Sequence, residues 1–200
     1  KKKKKLTIVD ISEGAAADKN KKITVQNLFK GIPGDVGIGQ ATPSAKLDVN
    51  GDALINGLTV GRGLGSDNTN TALGNGALAA NTSGSGNTAN GKDAFAVGTT
   101  GSNTTAIGEN ALSANTTGDS NTACGKSAMV ANTTGDENVA YGHAALRENI
   151  ASSKNVAVGR DALRANKAGS NATAIGFESQ RNNNDTGSAF YNANVFFFFF

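Results

Sequence analysis

Three arginines, Arg147, Arg164 and Arg181, lie 17 residues apart, a spacing that could bring three guanidinium groups to one place. A guanidinium presents a planar fork of donors that matches carboxylate, sulfate and phosphate oxygens, so this column is a candidate contact for an anionic surface glycan. The plainer reading, which the residue types favour, is a solvated basic face that keeps a β-structure from pairing edge to edge. Other chemistry-bearing residues stand alone. His143 is the single histidine; with no nucleophile paired to it, it reads as a surface side chain. Cys124 is the single cysteine, which excludes an internal disulfide, and it reads as a small buried filler. Asp119 and Asp136-Glu137 sit beside glycines at corners. The strict aspartate pattern of a calcium-binding β-roll is missing, so they read as turn formers. Gly37-Ile-Gly39 begins a nucleotide-loop pattern, but Thr42 stands where its third glycine belongs and no helical segment follows. With no P-loop, zinc spacing, H-E-x-x-H or carboxylate pair suited to glycoside hydrolysis, the chain is expected not to be an enzyme and to take no cofactor or metal.

What positions these residues is a repeat. Gly74, Gly91, Gly108, Gly125, Gly142, Gly159 and Gly176 follow one another at intervals of 17 without insertion or deletion. Two residues before each stands an alanine, from Ala72 to Ala174. Three residues after stands Ala77, Ala94, Ala111, Ala128, Ala145, Ala162 and then Ser179. The next column is Leu78, Phe95, Leu112, Met129, Leu146, Leu163 and Gln180. A fixed period without drift means one supersecondary unit stacked on copies of itself. Alternation in Asn103-Thr-Thr-Ala-Ile-Gly108 or Asn155-Val-Ala-Val-Gly159 puts alanine and glycine on one face of a strand. The residue between them points the other way, as Leu73, Asn90, Ile107, Cys124, Tyr141, Val158 and Ile175. A second short segment, such as Ala111-Leu112-Ser-Ala, adds one larger apolar residue per coil. Asn81-Thr-Ser-Gly84, Asn115-Thr-Thr-Gly118 and Asn132-Thr-Thr-Gly135 make corners, since Gly and Asn tolerate positive φ.

Helix is the competing reading for Ala-Leu pairs, but a glycine breaks every unit. The expected fold is all-β: a parallel β-roll or solenoid of seven 17-residue coils over residues 70–187, preceded by a small β collar. Coils stacked about 4.8 Å apart would make a segment on the order of 35 Å long and would suit Asn and Thr ladders. A core of alanines with one Leu-class residue per coil is thin for a lone chain. One apolar face would then serve the coil interior and the other would meet further copies of the chain, which suggests a homotrimer.

Residues 1–32 hold strand-like pieces at 6–11 and 23–29, with a loop or hairpin corner between them. In the collar and linker, 33–69, the segments 45–50 and 53–60 read as two strands around Asn50-Gly51. Residues 188–200 form a tail. The chain of 200 residues opens on five lysines and closes on five phenylalanines, and both runs are set aside from the fold. Without those lysines, fourteen Lys and Arg face sixteen Asp and Glu, and the net charge of +3 becomes −2. That removes the electrostatic case for nucleic acid. No apolar run reaches the ~20 residues a membrane span needs, and no secretory leader is apparent. The 26 glycines, absent Trp and abundant Asn, Thr and Ala suit a fibrous β-structure. The variable columns show no aromatic platform for sugars.

The repeated pattern N-x-x-A-x-G-x-x-A-L resembles the left-handed parallel β-roll heads of trimeric autotransporter adhesins. It resembles more strongly the Asn-Thr-rich repeats of bacteriophage tail-fibre proteins. The stretch Lys21-Lys-Ile-Thr-Val-Gln-Asn-Leu-Phe29 to Gly34 is similar to the N-terminal region of phage tail fibres, particularly those of marine cyanobacterial phages. Gly34 to Gly51 resembles a module that recurs in such fibres. The resemblance implies a trimeric, extended structural protein of the virion, exposed to the extracellular medium. It implies attachment to other virion proteins through 1–32 and presentation of a region that meets a host cell-surface receptor. A head-mounted whisker, or a bacterial adhesin head binding glycan directly, is the alternative. The 17-residue period departs from the shorter coils usual in adhesin heads.

Overall fold

The structure, a computed structural model, describes residues 36–38, 47–49, 52–63, 67–182 and 193–195. The strand-like pieces expected within 1–32, and the Asn50-Gly51 turn, lie outside them. The chain divides into two compact units, Lys1–Asp48 and Val49–Phe200. Strands β1 (Val36–Ile38) and β2 (Leu47–Val49) pair in a two-stranded sheet. Everything else is one ten-stranded sheet, with no helix among the described residues.

That sheet begins with β3 (Ala53–Ile55) and β4 (Leu58–Gly61), an antiparallel hairpin with Ala53 opposite Val60. Here the structure corrects the expectation of one unbroken strand over 53–60. Asn56 and Gly57 both take positive φ, 49° and 82°, which is the signature of a two-residue hairpin turn whose twist matches its strands. Asp52 ties the hairpin off, its carboxylate accepting from the N–H groups of Arg62 and Gly63. Strand β4 then pairs antiparallel with β5, Val60 opposite Leu73, so the hairpin is continuous with the repeats.

From β5 onward the sheet is a parallel β-solenoid. Strands β5 (Thr71–Leu73), β6 (Thr88–Asn90), β7 (Thr105–Ile107), β8 (Thr122–Cys124), β9 (Val139–Tyr141), β10 (Val156–Val158) and β11 (Thr173–Ile175) pair in strict register, Ala72 on Ala89, Ala89 on Ala106 and onward. Seven sequence repeats therefore give seven strands but about six complete turns, fewer than the seven coils expected. Strand β12 (Ala193–Val195) adds in parallel, with Thr173 opposite Ala193; that step is 20 residues long, so the period ends at β11.

Each coil carries one three-residue strand, not two. The Ala-Leu segment is a series of turns, because alternate residues take left-handed backbone. Leu78, Phe95, Leu112, Met129, Leu146, Leu163 and Gln180 have φ between 47° and 51°. The residue two before each also has positive φ, as in Asn110 (58°) and Asp161 (57°). Reversing handedness at alternate residues lets the segment bond from coil to coil. Leu112 N–H donates to the Ala128 carbonyl at 3.0 Å, and Ser127 N–H donates back to the Glu109 carbonyl at 2.9 Å.

Inside each coil the two alanine columns and the Leu-class column are buried, nearly all at zero exposure. Burying one such Leu stabilises by roughly 1.5–3 kcal/mol, while holding it in the left-handed region costs on the order of 1–3 kcal/mol. These nearly offset, so stacking carries the fold. Two columns of asparagine prove to be core, one read from sequence as corners (Asn81, Asn115, Asn132) and one as the start of each strand run (Asn155). Asn138 Nδ2 donates to the Ser152 carbonyl at 2.8 Å, its N–H donates to Asn121 Oδ1, and its own Oδ1 accepts from Asn155. In the second column Asn132 Nδ2 donates to Asn115 Oδ1, and Asn149 Nδ2 to Asn132 Oδ1.

Candidate functional site

Two surfaces of the solenoid carry what function the geometry offers. The first is the outward face of the strands. Because the alanine in each strand points inward, its two neighbours point out, making paired columns up the sheet. One holds Thr71, Thr88, Thr105, Thr122, Val139, Val156 and Thr173. The other holds Leu73, Asn90, Ile107, Cys124, Tyr141, Val158 and Ile175. Ile107, Tyr141 and Ile175 are 39%, 60% and 42% exposed. Cys124, expected as a buried filler, belongs to this outward column and is only half-buried, since its side chain alternates away from Ala123.

The second surface lies on the turn segment that follows each strand. Ser127, His143, Ala144, Arg147, Arg160, Asp161, Arg164, Glu178 and Arg181 line a depression of about 250 Å³. The structure thus brings the three sequence-singled arginines to one place, and His143 with them. Register explains it: each arginine is five residues past its repeat glycine, in successive coils. Sequence reasoning missed Arg160, Asp161 and Glu178. The signal was present, since these belong to the columns one and two residues past the glycine, which flank the arginine column in every coil.

The electrostatics are unbalanced. Asp161, whose side chain is nearly buried, meets Arg160 Nε at 3.2 Å and Arg164 Nε at 3.7 Å. Glu178 accepts from Arg181 at 3.2 Å. Arg147 forms no ion pair among the described residues, and buried Arg164 Nε makes no hydrogen bond. Four guanidinium groups thus face two carboxylates. Phe177 follows Arg160 in the next coil, is 67% exposed, and has its ring centroid 5.8 Å from the Arg160 guanidinium carbon. That corrects the expectation that the variable columns carry no aromatic platform.

The corner aspartates act in the ladder. Asp119 accepts from Ser102 N–H at 2.6 Å, and Asp136 accepts from Asp119 N–H at 2.8 Å. Among the described residues no group of three His, Cys, Asp or Glu side chains converges as metal ligands would. No helix among them is long and apolar enough to cross a membrane. Further down the turn segment, Lys126 donates to Glu109 at 2.8 Å, and this hydrogen bond, with the lysine's charge, holds the Glu109 carboxyl below the usual range.

No protein family, curated protein or solved structure matches this chain.

Proposed function

We propose that the chain is a structural fibre protein of a bacteriophage virion, a tail fibre in which three copies associate into a stiff projecting rod. The observation that carries this is the outward strand face. A sheet whose outer column holds Ile107, Tyr141, Val158 and Ile175 leaves apolar surface in a continuous strip, and such a strip marks an interaction site. Three copies of one chain present identical strips with the same 17-residue repeat, so a cyclic arrangement brings like strips together along their length. The function is then mechanical and multivalent. The solenoid holds a receptor-binding region away from the virion, and three chains present it in triplicate. Residues 1–32 attach to other virion proteins, and the rod stands in the extracellular medium. A capsid whisker would use the same architecture. A bacterial adhesin head, binding glycan directly, is the second reading, favoured by the basic depression.

The test is a charged substitution on the strip. Asn90 already occupies this column, so a polar side chain there is compatible with the coil. The double variant Ile107→Asp, Tyr141→Asp is expected to keep its β circular dichroism and to fall from three chains to one by light scattering. An unchanged mass would show that the strip is not the interface.

A further inference from the structure

We propose that the depression around Arg147, Arg164 and Arg181 binds the oxyanion groups of an acidic polysaccharide, with Phe177 as a stacking surface at its edge. The inference deepens the fibre reading and rests on it, since it names the receptor chemistry that a surface-exposed rod would meet.

Four observations converge. The three arginines share one column and open into one depression of about 250 Å³, space for one or two saccharide-borne oxyanions rather than a folded partner. The charge is only partly compensated: Asp161 is shared by Arg160 and Arg164, and Glu178 is engaged by Arg181, while Arg147 forms no ion pair among the described residues. Arg164 Nε is buried without a hydrogen bond, its nearest carboxylate oxygen 3.7 Å away. A guanidinium so placed has donor capacity left for a planar or tetrahedral oxyanion. Phe177 is exposed beside Arg160, a rigid apolar surface of the kind that covers a sugar ring at low entropic cost.

The basic column is also confined. In the four preceding coils the arginine position holds Ala79, Ala96, Ser113 and Val130. A face meant only to keep the solenoid soluble has no reason to gather its arginines in the last three coils. The same residues supply well-matched controls, because the fold already accommodates Ser and Ala there.

The experiment uses the full chain, with Arg147→Ser, Arg164→Ala and the double variant, each checked for unchanged β circular dichroism and melting. Binding to dextran sulfate, polygalacturonate and neutral dextran is measured by calorimetry at 0.05 and 0.3 M salt. The expected result is binding to one or both acidic polymers and none to neutral dextran. It should weaken about tenfold per arginine removed and weaken again at the higher salt. Phe177→Asn, the residue type of Asn75 in the same column, should weaken polymer binding and leave binding of inorganic sulfate unchanged. Equal binding to neutral dextran, or affinities indifferent to the arginine substitutions, would overturn the proposal. Solution mass taken on the same samples separates the two ideas. A single chain that binds acidic polymer refutes the trimer and upholds the site; a trimer that binds neither polymer does the reverse.

Discussion

Phe95 and Gly98 are the two residues of the solenoid core that depart together from their columns. Where the first six coils otherwise have Leu or Met the second has Phe95, and where they have a buried Asn it has Gly98. A Cβ at position 98 would lie 2.3 Å from Phe95 Cε2, so the ring occupies the room that an asparagine side chain takes elsewhere. The exchange breaks the ladder, for Asn81 Oδ1 is buried with no partner where the next coil's amide would have donated. Phe95→Leu alone leaves a cavity and should cost about 1–2 kcal/mol. Gly98→Asn alone drives a side chain into the ring and should cost about 1–3 kcal/mol. The double variant fills the gap, completes the ladder and should recover most of that loss. A coupling of at least about 1 kcal/mol in denaturant melts is expected; strict additivity would contradict the packing described.

At the scale of the coil, the repeat glycine sets how closely one turn sits on the next. Gly125 has φ 141°, and a Cβ there would lie 2.5 Å from the Gly142 carbonyl oxygen. Gly176 has nearly the same φ, 125°, but among the described residues the nearest atom to its Cβ would be 3.9 Å away, and the next paired strand follows after 20 residues instead of 17. Gly125→Ala therefore combines strain with a backbone clash and should destabilise by roughly 2–4 kcal/mol. Gly176→Ala meets the strain alone, roughly 1–2 kcal/mol. Equal losses by thermal melting would mean that coil spacing is not what the glycine protects. This column also shows how far sequence reading reaches. The period, the parallel pairing and the inward alanines were legible because each follows from spacing and alternation alone. The left-handed backbone at Leu112 and its equivalents was not, since nothing in a leucine signals positive φ; coil-to-coil bonding imposes it. Asn81, Asn115 and Asn132 read as corners for a related reason, as their amides become core only once stacked copies supply partners. For the basic depression the arginine spacing was visible, but the neighbouring columns that complete it needed the register of the turn segment. The hairpin at Asn56-Gly57 was there to be read and was passed over for the Asn-Gly pair six residues earlier.

At the scale of the molecule, the solenoid is a stack in which each coil rests on its neighbours. Its apolar core is narrow: alanines and one Leu-class side chain per coil, the latter nearly offset by backbone strain. The asparagine ladders and coil-to-coil backbone bonds hold the stack together. On the outward face of β7 to β11 the column of Ile107, Cys124, Tyr141, Val158 and Ile175 remains as apolar surface without a cover among the described residues. Three copies meeting along that strip would convert a thin stack into a rod with a shared second core, and would leave the turn segment, with its arginine depression, free to face the medium. Solution mass of the full chain by light scattering, before and after SDS at room temperature, tests this most directly. The expected result is a mass three times that of the chain, unchanged by the detergent. A folded species with the mass of one chain would contradict it, and would make the exposed strip itself the binding surface.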